Sequence, residues 1–212
     1  MAISGNKKLS LAAIFLCTVA QCQAAKMWSI LICTLEERTH LFEPLLTKLC
    51  TQIERAHLHD MVEVLYFKDN RTYSVGYKRN ALLHASTAEY VSYIDDDDDV
   101  HEQYVPMIYE KLLKKPDCVQ LVGVMTTRGM NPQLFIHTIR NNAYFWANGA
   151  YQRPPNHLNP IKRSIAVQFA FPEKNVFEDT DWAMQLCRAG LLKIEEPMYV
   201  PYYFYNYDGK YE

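Results

Sequence analysis

The sequence lacks the cysteine spacings that bind metals or form redox pairs. Its six cysteines include no CxxC pair and no zinc-ligand spacing, which excludes a site of either kind. We expect them to be buried, reduced thiols. The cysteines beyond the first 26 residues show no spacing pattern that indicates disulfide pairing, which weakly favours a reducing compartment.

An excess of charge of one sign is also absent. The chain carries 22 Lys and Arg against 24 Asp and Glu, for a net charge of -2. No bulk charge therefore favours nucleic acid or a membrane surface as a partner. There is no internal repeat and no EF-hand loop pattern. With 212 residues, 49% of them hydrophobic, the chain is long enough for one globular domain with a substantial core.

Residues 1–26 have the pattern of a signal peptide. Lys7 and Lys8 precede an apolar run, and small residues follow near Ala24. The run is too short to cross a bilayer comfortably, so we predict no stable membrane span. Either this segment is a cleaved or anchoring leader, or the start was assigned too early and the domain begins at Met27. The domain is then residues 27–212.

Apolar runs alternate with amphipathic segments, which predicts an α/β fold. Strands are predicted over 28–34, 61–67, 89–94 and 118–127, the first of them buried on both faces. Thr34 and Glu37 fit a capping box that opens a helix, and Gly76 opens the next. On the first helix the predicted apolar face is Leu41, Leu45, Leu46 and Leu49. The alternation indicates one Rossmann-like domain whose mostly parallel central sheet is flanked by helices.

Five consecutive aspartates, residues 95–99, follow the third predicted strand. Like charges this close repel one another unless a cation or water lies among them. Closely spaced carboxylates at a strand end are hard oxygen ligands, which suit Mg²⁺ or Mn²⁺ together with substrate phosphates. A solvated acidic turn and a calcium site are the alternatives. In open α/β sheets, ligands bind at this carboxyl edge.

Four blocks in this order resemble the GT-A-fold glycosyltransferases, family 2 in particular. The blocks are SILICTLEER, FKDN, GYKRN with the aromatic strand and aspartates that follow, and FEDTDWAMQLCRAG. The resemblance spans roughly residues 28–190. It implies a nucleotide-binding half, 27–126, and an acceptor half, 127–212.

The resemblance also implies roles for individual residues. Thr34 and Glu36 would lie against the nucleoside, and Asp69 would accept a hydrogen bond from the base. Arg79, with Lys78, would approach the diphosphate. Asp95 or Asp96 would contact the ribose. Asp97 and His157 would form the metal site. Asp179, with its neighbour Glu178, would supply the catalytic acids.

The implied function is a metal-dependent, inverting transfer of a sugar from a nucleotide-sugar, typically a UDP-sugar, to an acceptor hydroxyl. Asp179 would be the general base, and nearby carboxylates would raise its basicity. The cofactor would be Mn²⁺ or Mg²⁺, and the acceptor a glycan, a lipid-linked molecule or another hydroxyl compound. A non-catalytic nucleotide-sugar-binding domain and a metal-dependent nucleotidyltransferase are the alternatives. Donor supply favours the cytoplasm, while the leader keeps a secretory or membrane-associated location open.

Overall fold

The computed structural model describes residues 26–207 and, before them, only the backbone of Phe15–Leu16. The predicted leader otherwise lies outside the described residues, as do residues 208–212. The strands are β1 (Phe15–Leu16), β2 (Trp28–Leu35), β3 (Val62–Asp69), β4 (Tyr90–Tyr93), β5 (Asp99–Val100), β6 (Cys118–Val119), β7 (Leu121–Thr127), β8 (Met130–His137), β9 (Phe145–Ala147), β10 (Ala150–Arg153), β11 (Ile161–Lys162), β12 (Glu195–Glu196) and β13 (Tyr203–Tyr207). The helices are α1 (Thr39–Arg55), α2 (Val75–Ala85), α3 (Tyr104–Leu112), α4 (Arg163–Ala166) and α5 (Glu178–Ala189), with a 3₁₀ turn over Glu36–Arg38.

The first sheet has the strand order β1-β3-β2-β4-β11-β6-β12. β3 and β4 lie parallel to β2 on its two sides, and β12 is parallel to β6, whereas β1 and β11 run antiparallel to their neighbours. Consecutive β2 residues pack into different cores: Ile30 and Ile32 join α1 and α3, while Leu31 joins α2 and α5. The predicted α/β class and the two-sided burial of this strand are confirmed.

A second sheet, which the sequence patterns do not predict, has the order β5-β13-β7-β8-β10-β9. The segment predicted as one strand over 118–127 divides at Gln120, so that β6 stays in the first sheet and β7 enters the second. Gln120 is held at this division because its backbone N–H donates to the Glu196 carbonyl and its side chain accepts from the Met198 N–H. Since β11 and β12 lie in the first sheet, the two predicted halves share that sheet.

The capping box predicted at Thr34 is wrong. β2 continues through Leu35 because Thr34 and Leu35 pair with Lys68 and Asp69 of β3. The 3₁₀ turn begins at Glu36 without a side-chain cap. The buried face of α1 is also shifted from the prediction, since Leu41 is exposed and Phe42 is buried with Leu45 and Leu49.

Gly76 lies in the first turn of α2, where Ser74 is the N-cap. A methyl group at Gly76 would collide with the Pro172 carbonyl oxygen, and the Gly76 N–H donates to the carbonyl of Lys174. Glycine is therefore needed for close approach. It brings the segment that precedes α5 against α2, and so brings the acids of α5 toward the aspartates.

Among residues 26–207, no helix combines the length and the apolar character that crossing a membrane requires.

Candidate active site

The five aspartates form a turn after β4 rather than a straight row. The Asp98 N–H donates to the Asp95 carbonyl at 3.1 Å, which closes the turn and directs the carboxylates toward different partners. A cation or a hydroxyl group relieves the repulsion at each position, with Arg38 shared between Asp96 and Asp97. The pairs are Asp95 with Arg79, Asp96 with Thr34 and Arg38, Asp97 with Arg38, Asp98 with Tyr203, and Asp99 with Lys48.

Arg38 is the cation nearest to the predicted ribose and metal residues. Its Nη2 lies 3.0 Å from Asp96 Oδ1 and 2.6 Å from Asp97 Oδ2. The Thr34 hydroxyl donates to Asp96 Oδ2 at 2.7 Å. Burial raises the pKa of Asp96 above its ordinary value, although Thr34 and Arg38 favour the charged form. Thr34 thus lies at the predicted ribose carboxylate, whereas Glu36 is exposed at the start of the 3₁₀ turn.

Asp69 and Lys78 form a buried ion pair at the ends of β2 and β3. Lys78 Nζ lies 2.8 Å from Asp69 Oδ1 and donates to the Thr34 carbonyl at 3.0 Å, while Asp69 Oδ2 accepts from the Tyr73 N–H. Burial acts to raise the pKa of Asp69, but the bonds from Lys78 and Tyr73 outweigh it and hold that pKa below its ordinary value. In this structure Lys78 therefore joins two strand ends.

Arg79 connects the aspartates to the start of α5. Its guanidinium is buried between the rings of Tyr93 and Phe171, at 5.6 and 5.7 Å from their centroids. Nη2 lies 2.9 Å from Asp95 Oδ1 and 3.4 Å from Glu178 Oε1. Burial acts to raise the pKa of Asp95, but Arg79 and then His157 hold it well below its ordinary range. Burial also raises the pKa of Glu178, against the effect of Arg79.

His157 lies between the two groups of acids. Its Nε2 is 3.5 Å from Asp95 Oδ2, and its Nδ1 is 3.8 Å from Asp179 Oδ2. Both ring nitrogens are buried and neither forms a hydrogen bond. The loop that carries His157 is fixed to β4, because the Tyr93 N–H donates to the His157 carbonyl at 2.8 Å.

The three acids in the first turn of α5 have different environments. Glu178 is buried against Arg79, and Asp181 lies 2.6 Å from Lys174 Nζ. Asp179 is 31% exposed, and within the described residues no Lys or Arg pairs with it. Asp179 is therefore the acid of this turn that remains open to a ligand.

The sequence patterns did not reveal the contacts of Asp98 and Tyr203. The Tyr203 hydroxyl donates to Asp98 Oδ2 at 2.6 Å and accepts from the Asp95 N–H at 3.2 Å. Burial, followed by the charge of Asp95, raises the pKa of Asp98 well above its ordinary value. The two partners are 105 residues apart, and no local pattern connects them. This contact fixes the aspartate turn to the second sheet.

A divalent cation is implied by the family resemblance, and the side chains fit one under two conditions. Within residues 26–207, no three His, Cys, Asp or Glu side chains are arranged to hold an ion by themselves. Mg²⁺ commonly binds through one or two carboxylates together with substrate phosphates, so outside oxygens are the first condition. The second is that Arg38 leaves the carboxylates of Asp96 and Asp97. The unpartnered nitrogens of His157 are consistent with such a site.

Solved structures with similar folds include S. aureus TarS, with a TM-score of 0.57 at 15% identity over 85% of this chain and 36% of that one. TarS 1–349 in complex with UDP gives a TM-score of 0.56 at 12% identity, and in complex with UDP-GlcNAc 0.53 at 14%. These two comparisons cover 85% of this chain, and 60% and 58% respectively of the TarS fragment. At such identities the likeness concerns the fold. The chain spans only part of these relatives.

The fold is the GT-A fold of glycosyltransferases. The family model for glycosyl transferase family 2 matches residues 29–180. The chain therefore belongs to glycosyl transferase family 2. Among curated proteins, none matches this chain.

Proposed function

We propose that the chain transfers a sugar from a nucleotide-sugar, with UDP as the nucleotide, to an acceptor hydroxyl, with inversion and with Mn²⁺ or Mg²⁺. The observation that carries this proposal is the path from Asp95 through Arg79 to Glu178, which holds the aspartate turn beside Asp179. Transfer requires the diphosphate to bind beside a general base, and this path supports the proposal because it brings the aspartate turn close to Asp179. The UDP and UDP-GlcNAc complexes of TarS, a protein of similar fold, support the choice of donor.

On the donor side, Asp69 accepts a hydrogen bond from the base, and Thr34 and Glu36 lie beside the nucleoside. Asp95 or Asp96 contacts the ribose. Asp97 would hold the cation, and His157 would supply a further ligand to it. Asp97 suits this role because its side chain is 49% exposed and already binds one cation, Arg38. The bound cation supplies neutralisation of the charge that develops on the leaving diphosphate.

Lys78 and Arg79 take a role different from direct contact with the diphosphate. Both side chains are buried in ion pairs. Their charges lie behind the carboxylates and hold them in position, so that the donor meets a prearranged site.

On the acceptor side, Asp179 takes the proton of the acceptor hydroxyl. The oxygen then attacks the anomeric carbon from the side opposite the diphosphate. The bond between that carbon and the phosphate oxygen breaks, and its electron pair leaves with the nucleoside diphosphate. Glu178 is paired with Arg79 and does not compete for this proton. It positions Asp179 through the start of α5.

The test is calorimetric titration of UDP into the full chain, with Mn²⁺ and then with EDTA. We expect binding that requires the metal, and loss of that requirement together with most of the affinity in Asp97→Ala. Unchanged affinity of Asp97→Ala for UDP with Mn²⁺ would refute the metal assignment. Absence of UDP binding under both conditions, followed by the same result with GDP and dTDP, would refute the donor class.

A further inference from the structure

The hairpin of β9 and β10 presents an aromatic surface beside the proposed base. Asn148 and Gly149 join its strands with φ values of 53° and 73°, which is the type I′ turn that suits a two-residue hairpin. Pairing in the hairpin places Trp146 opposite Tyr151 and Phe145 opposite Gln152. Side chains alternate between faces, so Trp146 and Phe145 point to opposite sides.

The face that carries Trp146 and Tyr151 continues across the second sheet to the aspartate turn. Tyr151 pairs with Phe135, Phe135 with Gly123, and Gly123 with Tyr203, so these residues share one face of the second sheet. Tyr203 bonds to Asp98 of the aspartate turn. The face that carries Trp146 is therefore the face that meets the aspartates.

The first turn of α5, which carries Asp179, also lies close to this face. Tyr144 precedes β9, and its hydroxyl lies near the Thr180 side chain of α5. Burial and then the charge of Asp179 raise the pKa of Tyr144 above its ordinary value. The guanidinium of Arg153 lies over the Tyr144 ring, 5.6 Å from its centroid. We call Tyr144, Trp146, Tyr151 and Arg153 the aromatic wall.

The rings of the aromatic wall are exposed but held in place. Trp146 is 52% and Tyr144 40% exposed. Trp146 meets Tyr151 in a T-shaped contact with the ring centroids 4.7 Å apart. A ring already fixed in one orientation loses little entropy when a ligand covers it, which favours binding.

The chemistry of the aromatic wall matches a sugar ring. A pyranose has faces of C–H groups that pack on aromatic rings and a rim of hydroxyls that need polar partners. The wall offers aromatic rings, phenol hydroxyls and a guanidinium together, whereas an acyl chain would leave the guanidinium without a partner. Among the described residues no carboxylate forms an ion pair with Arg153, so its N–H groups can donate to ligand oxygens.

We propose that the aromatic wall is the acceptor subsite and that the acceptor is a saccharide, whose ring stacks on Trp146 and Tyr151 while one hydroxyl reaches Asp179. This inference rests on the proposed transfer reaction and specifies its acceptor. It gives Arg153 the role of orienting the sugar through its hydroxyls. It also explains why a tryptophan lies exposed beside a general base.

The test compares Trp146→Ala with Phe145→Ala in the full chain. Phe145 is the matched control, because it is 46% exposed on the same strand and its side chain lies on the opposite face from Trp146. Saccharide binding is measured by saturation-transfer NMR and calorimetry, with gluco-, galacto-, manno- and N-acetylglucosamine disaccharides, in the presence of UDP and Mn²⁺. We expect roughly tenfold weaker binding for Trp146→Ala, partial recovery in Trp146→Tyr, and little change for Phe145→Ala.

Fluorescence quenching supplies an independent readout in the unsubstituted chain. Trp28 and Trp182 are buried, at 0% and 2% exposure, so acrylamide reaches Trp146 preferentially. A bound saccharide should protect that fluorescence. UDP binding, followed on the same samples, separates the two proposals, since its absence concerns the donor and not the aromatic wall.

Three results would overturn the inference. The first is that no disaccharide binds while UDP binds normally. The second is equal weakening by Trp146→Ala and Phe145→Ala. The third is that dodecylphosphocholine micelles or glycerol phosphate protect Trp146 while the disaccharides do not, which would assign the surface to a lipid or a polyol phosphate.

Discussion

The carboxyl edge of the first sheet and the hairpin of the second sheet differ in how their side chains are paired. At the edge, nearly every carboxylate already has a partner within the chain, as in Asp69 with Lys78 and Asp95 with Arg79. At the hairpin, aromatic rings face solvent, and Arg153 lies over a ring rather than beside an acid. Buried charges need partners within the chain even without a ligand, because an unpaired buried charge destabilises the folded state. Exposed aromatic rings carry no such requirement and can remain in contact with solvent until a ligand binds.

We expect the largest effect from substitution of Asp179, the open carboxylate that lies where the two regions meet. Asp179→Asn removes the group that accepts the proton, so transfer should fall by about 10²- to 10⁴-fold while UDP binding stays intact. Transfer is measured with a labelled donor and UDP binding by calorimetry. Asp181→Asn, in the same helical turn but paired with Lys174, is the control and should retain transfer within a few-fold. Transfer by Asp179→Asn near the unsubstituted rate would assign the base to another residue.

Removing the central cation of the edge should destabilise the whole chain. Arg79→Ala leaves Asp95 and Glu178 without their shared partner, and loss of one partner from a buried ion pair costs about 3–5 kcal/mol. Urea denaturation measures the change. Arg71→Ala, which removes an exposed partner of Glu37, should have little effect. Similar stabilities for the two variants would contradict the structural role of Arg79.

Substitution of Arg38 tests whether its guanidinium balances the carboxylates that are proposed to bind the cation. Because its guanidinium contacts the two carboxylates proposed to receive the cation, Arg38→Ala should bind Mn²⁺ roughly five- to tenfold more tightly without nucleotide. Electron paramagnetic resonance of free Mn²⁺ measures this. Lys48→Ala, which frees Asp99 at the far end of the same turn, should change the affinity less. Weaker or unchanged Mn²⁺ binding by Arg38→Ala would show that Arg38 does not compete with the ion.

The smallest expected effect concerns pH. The hydrogen bonds from Lys78 and Tyr73 outweigh the effect of burial and hold the folded pKa of Asp69 below its ordinary value of 3.8. Its contribution to stability is therefore present above that value and is lost as pH falls through the folded pKa. Asp69→Asn should therefore make stability fall less steeply in this acid range. Urea midpoints measured from about pH 7 down to about pH 3 test it. Equal acid dependence of both chains would assign the effect to other carboxylates, among them Asp95.

Local sequence patterns predicted the central strands of the first sheet and the acids at their ends. Continuous apolar runs identified β2, β3 and β4, and short polar segments after them marked the carboxyl edge. The second sheet was not readable, since the run over 118–127 gives no sign that it divides between two sheets. Its division depends on backbone and side-chain contacts of Gln120 with residues far along the chain.

The same contrast holds within the candidate site. The types and spacing of Asp95, Asp97 and Asp179 predicted which acids to examine. The position of Arg79 upstream of the aspartates made it a candidate partner for phosphate or for the acidic cluster, and the structure pairs it with Asp95. The spacing did not predict that Arg38 contacts Asp96 and Asp97. Ion-pair partners are chosen by proximity in space, and a one-dimensional pattern contains no distance between strand ends.

By itself, the sequence determined the family, the α/β class and the candidate acids, because apolar periodicity and short motifs are local properties. The tertiary structure alone decided which aspartates meet Arg38, Arg79 and Tyr203. It alone also decided that Tyr144, which precedes the hairpin, lies near enough to Asp179 to feel its charge. The physical reason is that register and packing join segments about a hundred residues apart, as Tyr203 and Asp98 are, separated by 105 positions and joined by a hydrogen bond of 2.6 Å.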